Sequence, residues 1–104
     1  MATKQIAGKT VEVDAEGYMQ NSKEWSKEVC EAIAAEQGIT LTDAHWKVIE
    51  FARDEFNKTN ESPTLRRITK SGVINTKDLY AFFPNGPAGK IARLAGLRKP
   101  TGCI

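Results

Sequence analysis

The feature that most constrains this chain is its punctuation. From residue 62 onward, helix starters and breakers recur at Ser62-Pro63, Ser71-Gly72, Asn75, Pro84, Asn85-Gly86-Pro87 and Gly96. Proline cannot continue an intrahelical ladder, and glycine readily takes the left-handed turn that ends a helix. What fits between these signals is a series of short helices. Segments that short do not hold together alone, so they must share one core.

The helix opened by Ser62-Pro63 carries Leu65 and Ile68 and stops near Ser71-Gly72. Ser62 is its predicted cap, with Pro63 at the first helical position. Asn75 or Thr76 starts a second helix bearing Leu79, Tyr80, Phe82 and Phe83, which Pro84 ends. Asn85-Gly86-Pro87 opens a last helix from Ala88 to Ala95. Upstream, Asn21 or Ser22 caps a helix running to about Gln37, with its stripe on Trp25, Val29, Ala32 and Ile33. Thr40 or Thr42 caps the next, to about Lys58, where Trp46, Ile49, Ala52, Arg53 and Phe56 keep helical spacing. Before these, Ile6, Val11, Val13 and Tyr18 alternate loosely around turn formers at Gly8-Lys9 and Ala15-Glu16-Gly17, the pattern of a small hairpin.

The fold class is therefore mainly α: a small orthogonal bundle of about five helices with an N-terminal β-hairpin, a helix-turn-helix-like corner and a flexible C-terminal arm. At 104 residues the chain fits a single domain. The reading divides it into a hairpin (1–20), a helical body (21–95) and an arm (96–104). No apolar run approaches the ~20 residues a membrane-spanning helix needs, and the first residues lack the apolar stretch of a secretion signal. A cytoplasmic protein with no membrane partner is expected, and there its two cysteines stay reduced. Net charge is only +2, but it is unevenly spread. All acids except Asp78 precede Pro63, so the C-terminal part is basic, which suits an anionic partner or a solvated face.

Several side chains could carry chemistry. Two cysteines and one histidine do not form a closed metal site, and neither metal nor cofactor is expected. His45 has no nucleophile near it in sequence and reads as a helix-terminus or packing residue. Cys30 sits within the first long helix and reads as a small hydrophobe. The corner in SPTLRRITKSGVINTKDLYAFF has basic residues around Gly72, making Arg67, Lys70 and Lys77 candidate nucleic-acid contacts. Cys103 is different. It stands one place from the end, beyond Gly96, Pro100 and Gly102, with Arg98 and Lys99 nearby to favour a thiolate. An arm hinged at Gly96 has an extended reach of roughly 23–25 Å.

The segment LYAFFPNGPAGKIARLAGLRKPTGCI resembles the C-terminal signature of the DsrC/TusE family of sulfur-relay proteins. VDAEGYMQNSKEWS, GITLTDAHWKVIEFARDEF and SPTLRRITK, with Arg66 at the family's arginine position, extend the resemblance over nearly the whole chain. It implies a helical bundle with an N-terminal hairpin and a mobile arm. It also implies a sulfur carrier in which Cys103 holds sulfane sulfur as a persulfide, with Lys99, Arg98 and Arg66 in supporting roles. The implied partners are a sulfur donor of the TusBCD or DsrEFH type and an acceptor, either sulfite reductase or a tRNA thiolase.

Two departures from the family pattern bear on the branch. Dissimilatory members carry a second arm cysteine, and the matching position here is Ala92. A two-cysteine sulfite-reduction cycle is then in doubt, and the single-cysteine arm resembles TusE, which passes sulfur toward the 2-thiouridine of tRNA. Against that, the short link KSGVINTKD resembles the compact DsrC of sulfate reducers and archaea. The alternatives to a relay carrier are a DNA-binding or regulatory DsrC-like protein, and a partner of dissimilatory sulfite reductase that docks without transferring sulfur.

Overall fold

The computed structural model describes residues 2–100. Two antiparallel strands, β1 (Ala2–Ile6) and β2 (Lys9–Val13), pair from Ala2 with Val13 to Ile6 with Lys9. Their turn is Ala7-Gly8, both at positive φ (52° and 77°), as a two-residue turn matched to strand twist requires. The tip is thus one residue earlier than the expected Gly8-Lys9. Beyond β2, the Asp14 carboxylate accepts from the backbone N–H groups of Glu16 and Tyr18 at 2.9 and 3.0 Å. This tight loop returns the chain so that Met19 bridges to Val13, and Tyr18 and Met19 enter the core.

Five α-helices follow among the described residues: α1 (Lys27–Gln37), α2 (Asp43–Thr59), α3 (Leu65–Lys70), α4 (Thr76–Phe82) and α5 (Pro87–Leu94). The expected first helix breaks in two. Asn21 caps only a short 3-10 turn, Ser22–Glu24, and Trp25 then adopts an extended conformation. Ser26 caps α1 by accepting from the Val29 N–H. Two capping residues so close together compete for one helix start, and the later one governs the α-helix. The start of α3 also differs. Thr64, not Ser62, is its cap, accepting from Arg67 N–H at 3.1 Å. Ser62 is turned to another partner, described below.

Helix α5 is the centre of the assembly and packs on both α1 and α2. Ala88, Ala92 and Ala95 let its neighbours approach closely, while Ile91 and Leu94 fill the space between them. Each of those larger side chains contributes about 1.5–3 kcal/mol on burial. Gly86, at φ 92°, and Pro87 start the helix, and its end is a Schellman turn. There Gly96 N–H donates to Arg93 O, and Leu97 N–H to Ala92 O. The corner between α3 and α4 turns at Gly72, φ 82°. No helix among the described residues is long and apolar enough to cross a membrane.

Candidate functional site

Cys103, the residue on which the sequence reading turns, lies outside the described residues, as do Met1, Thr101, Gly102 and Ile104. What the structure shows is the base from which that tip departs. The stretch expected to begin a flexible arm at Gly96 lies, as far as Pro100, against the body: Gly96, Leu97 and Pro100 are buried. Three attachments hold it. Ser62 Oγ donates to the Arg98 carbonyl. The Arg98 guanidinium donates to the Asn60 backbone carbonyl at 3.0 Å and to its side-chain oxygen at 3.2 Å, and lies 5.3 Å from the Phe56 ring centre. Lys99 Nζ pairs with Glu16 Oε1 at 2.7 Å. From Pro100, the covalent reach to Cys103 is only about 10 Å.

The end of α5 is held just as firmly. Trp25 Nε1 donates to Leu94 O at 2.7 Å, and Arg53 Nη1 donates to Ala95 O at 2.7 Å. These carbonyls lie in the last turn of the helix, where acceptors run short of partners. Arg53 also lies 4.2 Å from the centre of the Trp25 ring and donates to Ser22 O at 3.2 Å. Burial lowers its pKa from the ordinary arginine value, yet a guanidinium remains charged there. Gly96 is required at this point. Its φ is 69°, and a β-carbon would stand 2.6–2.8 Å from Trp25 side-chain atoms.

The other expected residues sort clearly. Arg98 and Lys99 are both turned toward the body in this conformation, on Asn60 and Glu16. Arg66 is exposed on α3. Arg67, expected as a nucleic-acid contact, is committed elsewhere. Its Nε and Nη2 form a fork on the buried Glu55 carboxylate at 2.9 and 3.0 Å. The hydrogen bonds from Arg67 hold the Glu55 carboxyl below the ordinary glutamate range, and the same contact raises Arg67. Lys70 and Lys77 are exposed, and Arg66, Lys70 and Lys77 make no ion pair among the described residues, unlike the equally exposed Arg67.

His45 is a packing residue, as expected. Its Nδ1 accepts from Thr42 N–H at 3.1 Å, its Nε2 faces Phe82 O at 3.1 Å, and its ring rests on Phe82 and Phe83. Cys30 is fully buried, and burial pushes its thiol up to about 12. It is therefore protonated and inert at neutral pH. Among the described residues, no three His, Cys, Asp or Glu side chains are grouped as metal ligands would be.

Sequence reasoning missed the groups that hold the arm's base: Glu16, Trp25, Arg53, Asn60 and Ser62. One signal was present. Arg53 interrupts an otherwise apolar helical face, and a cation in that position needs buried acceptors. Beside the base runs an open cleft of about 310 Å³, lined by Phe56, Asn60, Glu61, Ser62, Arg98 and Lys99.

With this geometry in view, comparison with known proteins is informative. The family model described as DsrC like protein matches residues 5–104. A protein named sulfurtransferase TusE from Escherichia coli K12 is 39% identical over 93% of this chain and 95% of its own. The TusE of Yersinia pseudotuberculosis is 37% identical over 96% of this chain and 99% of its own. Among solved structures, Allochromatium vinosum DsrC superposes with a TM-score of 0.84 at 38% identity, covering 98% of this chain and 97% of that one. The oxidised gamma subunit of dissimilatory sulfite reductase (DsrC) from Archaeoglobus fulgidus gives 0.81 at 37% identity, over 99% of this chain and all of that one. The family model, the relatives and the superposed folds agree over nearly the whole chain: it belongs to the DsrC-like family.

Proposed function

We propose that this protein is a sulfur-relay carrier that accepts sulfane sulfur on Cys103 and passes it on, in tRNA thiolation or in dissimilatory sulfur metabolism. The observation that carries the reading is the match to relatives named sulfurtransferase TusE over more than nine-tenths of the chain, beside a family-model match that runs through residue 104. The Cys103 thiolate attacks the outer sulfur of a donor persulfide. The donor's inner sulfur leaves as a thiolate, and Cys103 becomes a persulfide. One S–S bond forms and one breaks, and no external oxidant is needed. The reverse exchange, with an acceptor enzyme as nucleophile, unloads it.

Ala92 favours the single-cysteine route. It is a small, buried residue of α5, so no second arm thiol is available there to close a disulfide with Cys103. The tRNA-thiolation branch fits this chemistry better than a two-cysteine sulfite-reduction cycle. A protein of the TusBCD or DsrEFH type is the proposed donor, a tRNA thiolase the proposed acceptor and the cytoplasm the proposed setting. The DNA-binding reading loses Arg67, which is already held by Glu55.

Intact-mass measurement after incubation with a small persulfide donor tests the proposal. Wild type and Cys30→Ala should each gain one sulfur atom, and Cys103→Ser none. Equal loading of Cys103→Ser overturns the assignment.

A further inference from the structure

A second cleft, of about 230 Å³, opens where β1, the end of α1, the loop after β2 and α5 meet. Among its lining residues are three cations, Lys4, Lys90 and Arg93, and two carboxylates, Glu16 and Glu36. Both carboxylates are already taken. Glu36 Oε2 accepts from Lys4 Nζ at 2.6 Å, and Glu16 Oε1 accepts from Lys99 Nζ at 2.7 Å. Lys90 and Arg93 are left without a counter-ion among the described residues, and both are half-buried. They stand three residues apart on α5, a spacing that puts two side chains on one helix face. Arg93 uses only Nε, on the Glu16 carbonyl at 3.1 Å, and its guanidinium lies 4.4 Å from the Tyr18 ring centre. Its Nη1 and Nη2 have no hydrogen-bond partner among the described residues. Gln37, the last residue of α1, also lines the cleft, and its side-chain oxygen is buried with no partner among the described residues.

We propose that Lys90, Arg93 and Gln37 hold a small tetrahedral dianion of the phosphate or sulfate class in this cleft. The inference does not depend on the carrier reading. Charge selects the ligand. The Lys4–Glu36 and Lys99–Glu16 pairs cancel, so Lys90 and Arg93 give the cleft two uncompensated positive charges. Cations drawn partly out of water without a partner are costly, and a dianion between them removes that cost. A partner protein's carboxylate carries one charge and leaves one cation uncovered. Size selects the ligand too. Pockets for drug-sized ligands run from about 300 to 1,000 Å³, and this cleft is smaller. The planar arginine fork offers parallel N–H donors to an oxyanion, and lysine adds a point charge. The Tyr18 ring and the Glu16 carbonyl hold the Arg93 head and leave its Nη groups for the ligand. Turning the Gln37 amide over exchanges its orphaned acceptor for a donor with little change of shape, and a ligand oxygen then satisfies it.

The test is an NMR titration of the isotope-labelled full chain at neutral pH. Sodium phosphate and sodium sulfate are added separately, with sodium chloride adjusted to keep the ionic strength constant. The signals of Lys90, the Arg93 Nε–H and the Gln37 side-chain amide should shift together on one saturating curve, while Lys70 and Lys77 barely move. Lys90→Gln removes one charge and no hydrogen bond or ion pair among the described residues, so the fold should stand. It should weaken binding about tenfold, the low end for a hydrogen bond to a charged group. Lys77→Gln makes the same change of charge on α4 and should leave the affinity as it is. Shifts that are absent from the cleft or never saturate overturn the site. An equal loss of affinity in Lys77→Gln also overturns it, because that outcome means general attraction to a basic surface. Sodium acetate binding as tightly as the dianions overturns the ligand class.

Discussion

Replacing Gly96 by alanine should unfold the junction between α5 and the arm, and a second glycine in the same molecule provides the control. Gly38 and Gly96 have the same φ of 69°. A β-carbon on Gly38 meets nothing within 4 Å, whereas one on Gly96 falls 2.6–2.8 Å from Cβ, Cγ and Cδ1 of Trp25. Gly38→Ala therefore incurs only the left-handed backbone cost, about 1–2 kcal/mol. Gly96→Ala incurs the same cost plus displacement of the indole. Overpacking of this kind adds about 1–3 kcal/mol. Moving the indole also strains its hydrogen bond to Leu94 O, for about 1 kcal/mol more. The expected total is about 3–6 kcal/mol, a large fraction of a small domain's stability. Urea unfolding followed by tryptophan fluorescence measures both variants, and their difference cancels the backbone term. Gly96→Ala should be less stable than Gly38→Ala by about 2–4 kcal/mol. Equal destabilisation would refute the claim that Trp25 clamps the end of α5.

Further outcomes follow from the same contacts. Iodoacetamide should modify the native protein once, at Cys103, and reach Cys30 only after denaturation, because burial keeps the Cys30 thiol protonated; two fast adducts on the native protein contradict this. Glu55 is held below its ordinary pKa by Arg67, so its stabilising effect is present above the unfolded glutamate value and is lost as pH falls through the folded value. Urea midpoints measured from about pH 5 to 3 should fall less steeply in Glu55→Gln than in wild type, and parallel slopes refute the pairing. Ser62→Ala removes the hydrogen bond to Arg98 O and should cost about 1 kcal/mol, while also speeding proteolysis after Arg98 or Lys99; unchanged cleavage would mean that Ser62 does not anchor the arm.

Much of this fold could be read from local signals. Glycine and proline placed the helix ends, and apolar spacing placed the core faces of α1 and α2. Those signals work because they act within a few residues of where they are written. The misplacements occurred where a long-range partner took a group that local rules would assign nearby. Ser62 resembles a cap but bonds to Arg98, 36 residues later. Arg67 resembles a free surface cation, yet α2 presents a buried carboxylate to it. Trp25 sits at the edge of a helical stripe, but its N–H serves α5, 69 residues on.

The candidate site was read in a different way. The tail motif pointed to Cys103 without any three-dimensional information, through its resemblance to a family. The sequence did not disclose that the arm would be fastened as far as Pro100. That depends on Asn60, Ser62 and Glu16 lying beside the end of α5, an arrangement of surfaces rather than of neighbours along the chain.

The most direct test is to locate the carried sulfur. Protein charged by a persulfide donor is trapped with an alkylating reagent, digested and mapped by mass spectrometry. The account predicts the additional sulfur on the C-terminal peptide bearing Cys103, and its loss from that peptide when an acceptor thiol is added. Sulfur recovered on the Cys30 peptide, or a C-terminal peptide that stays unmodified in protein that has gained mass, would contradict it.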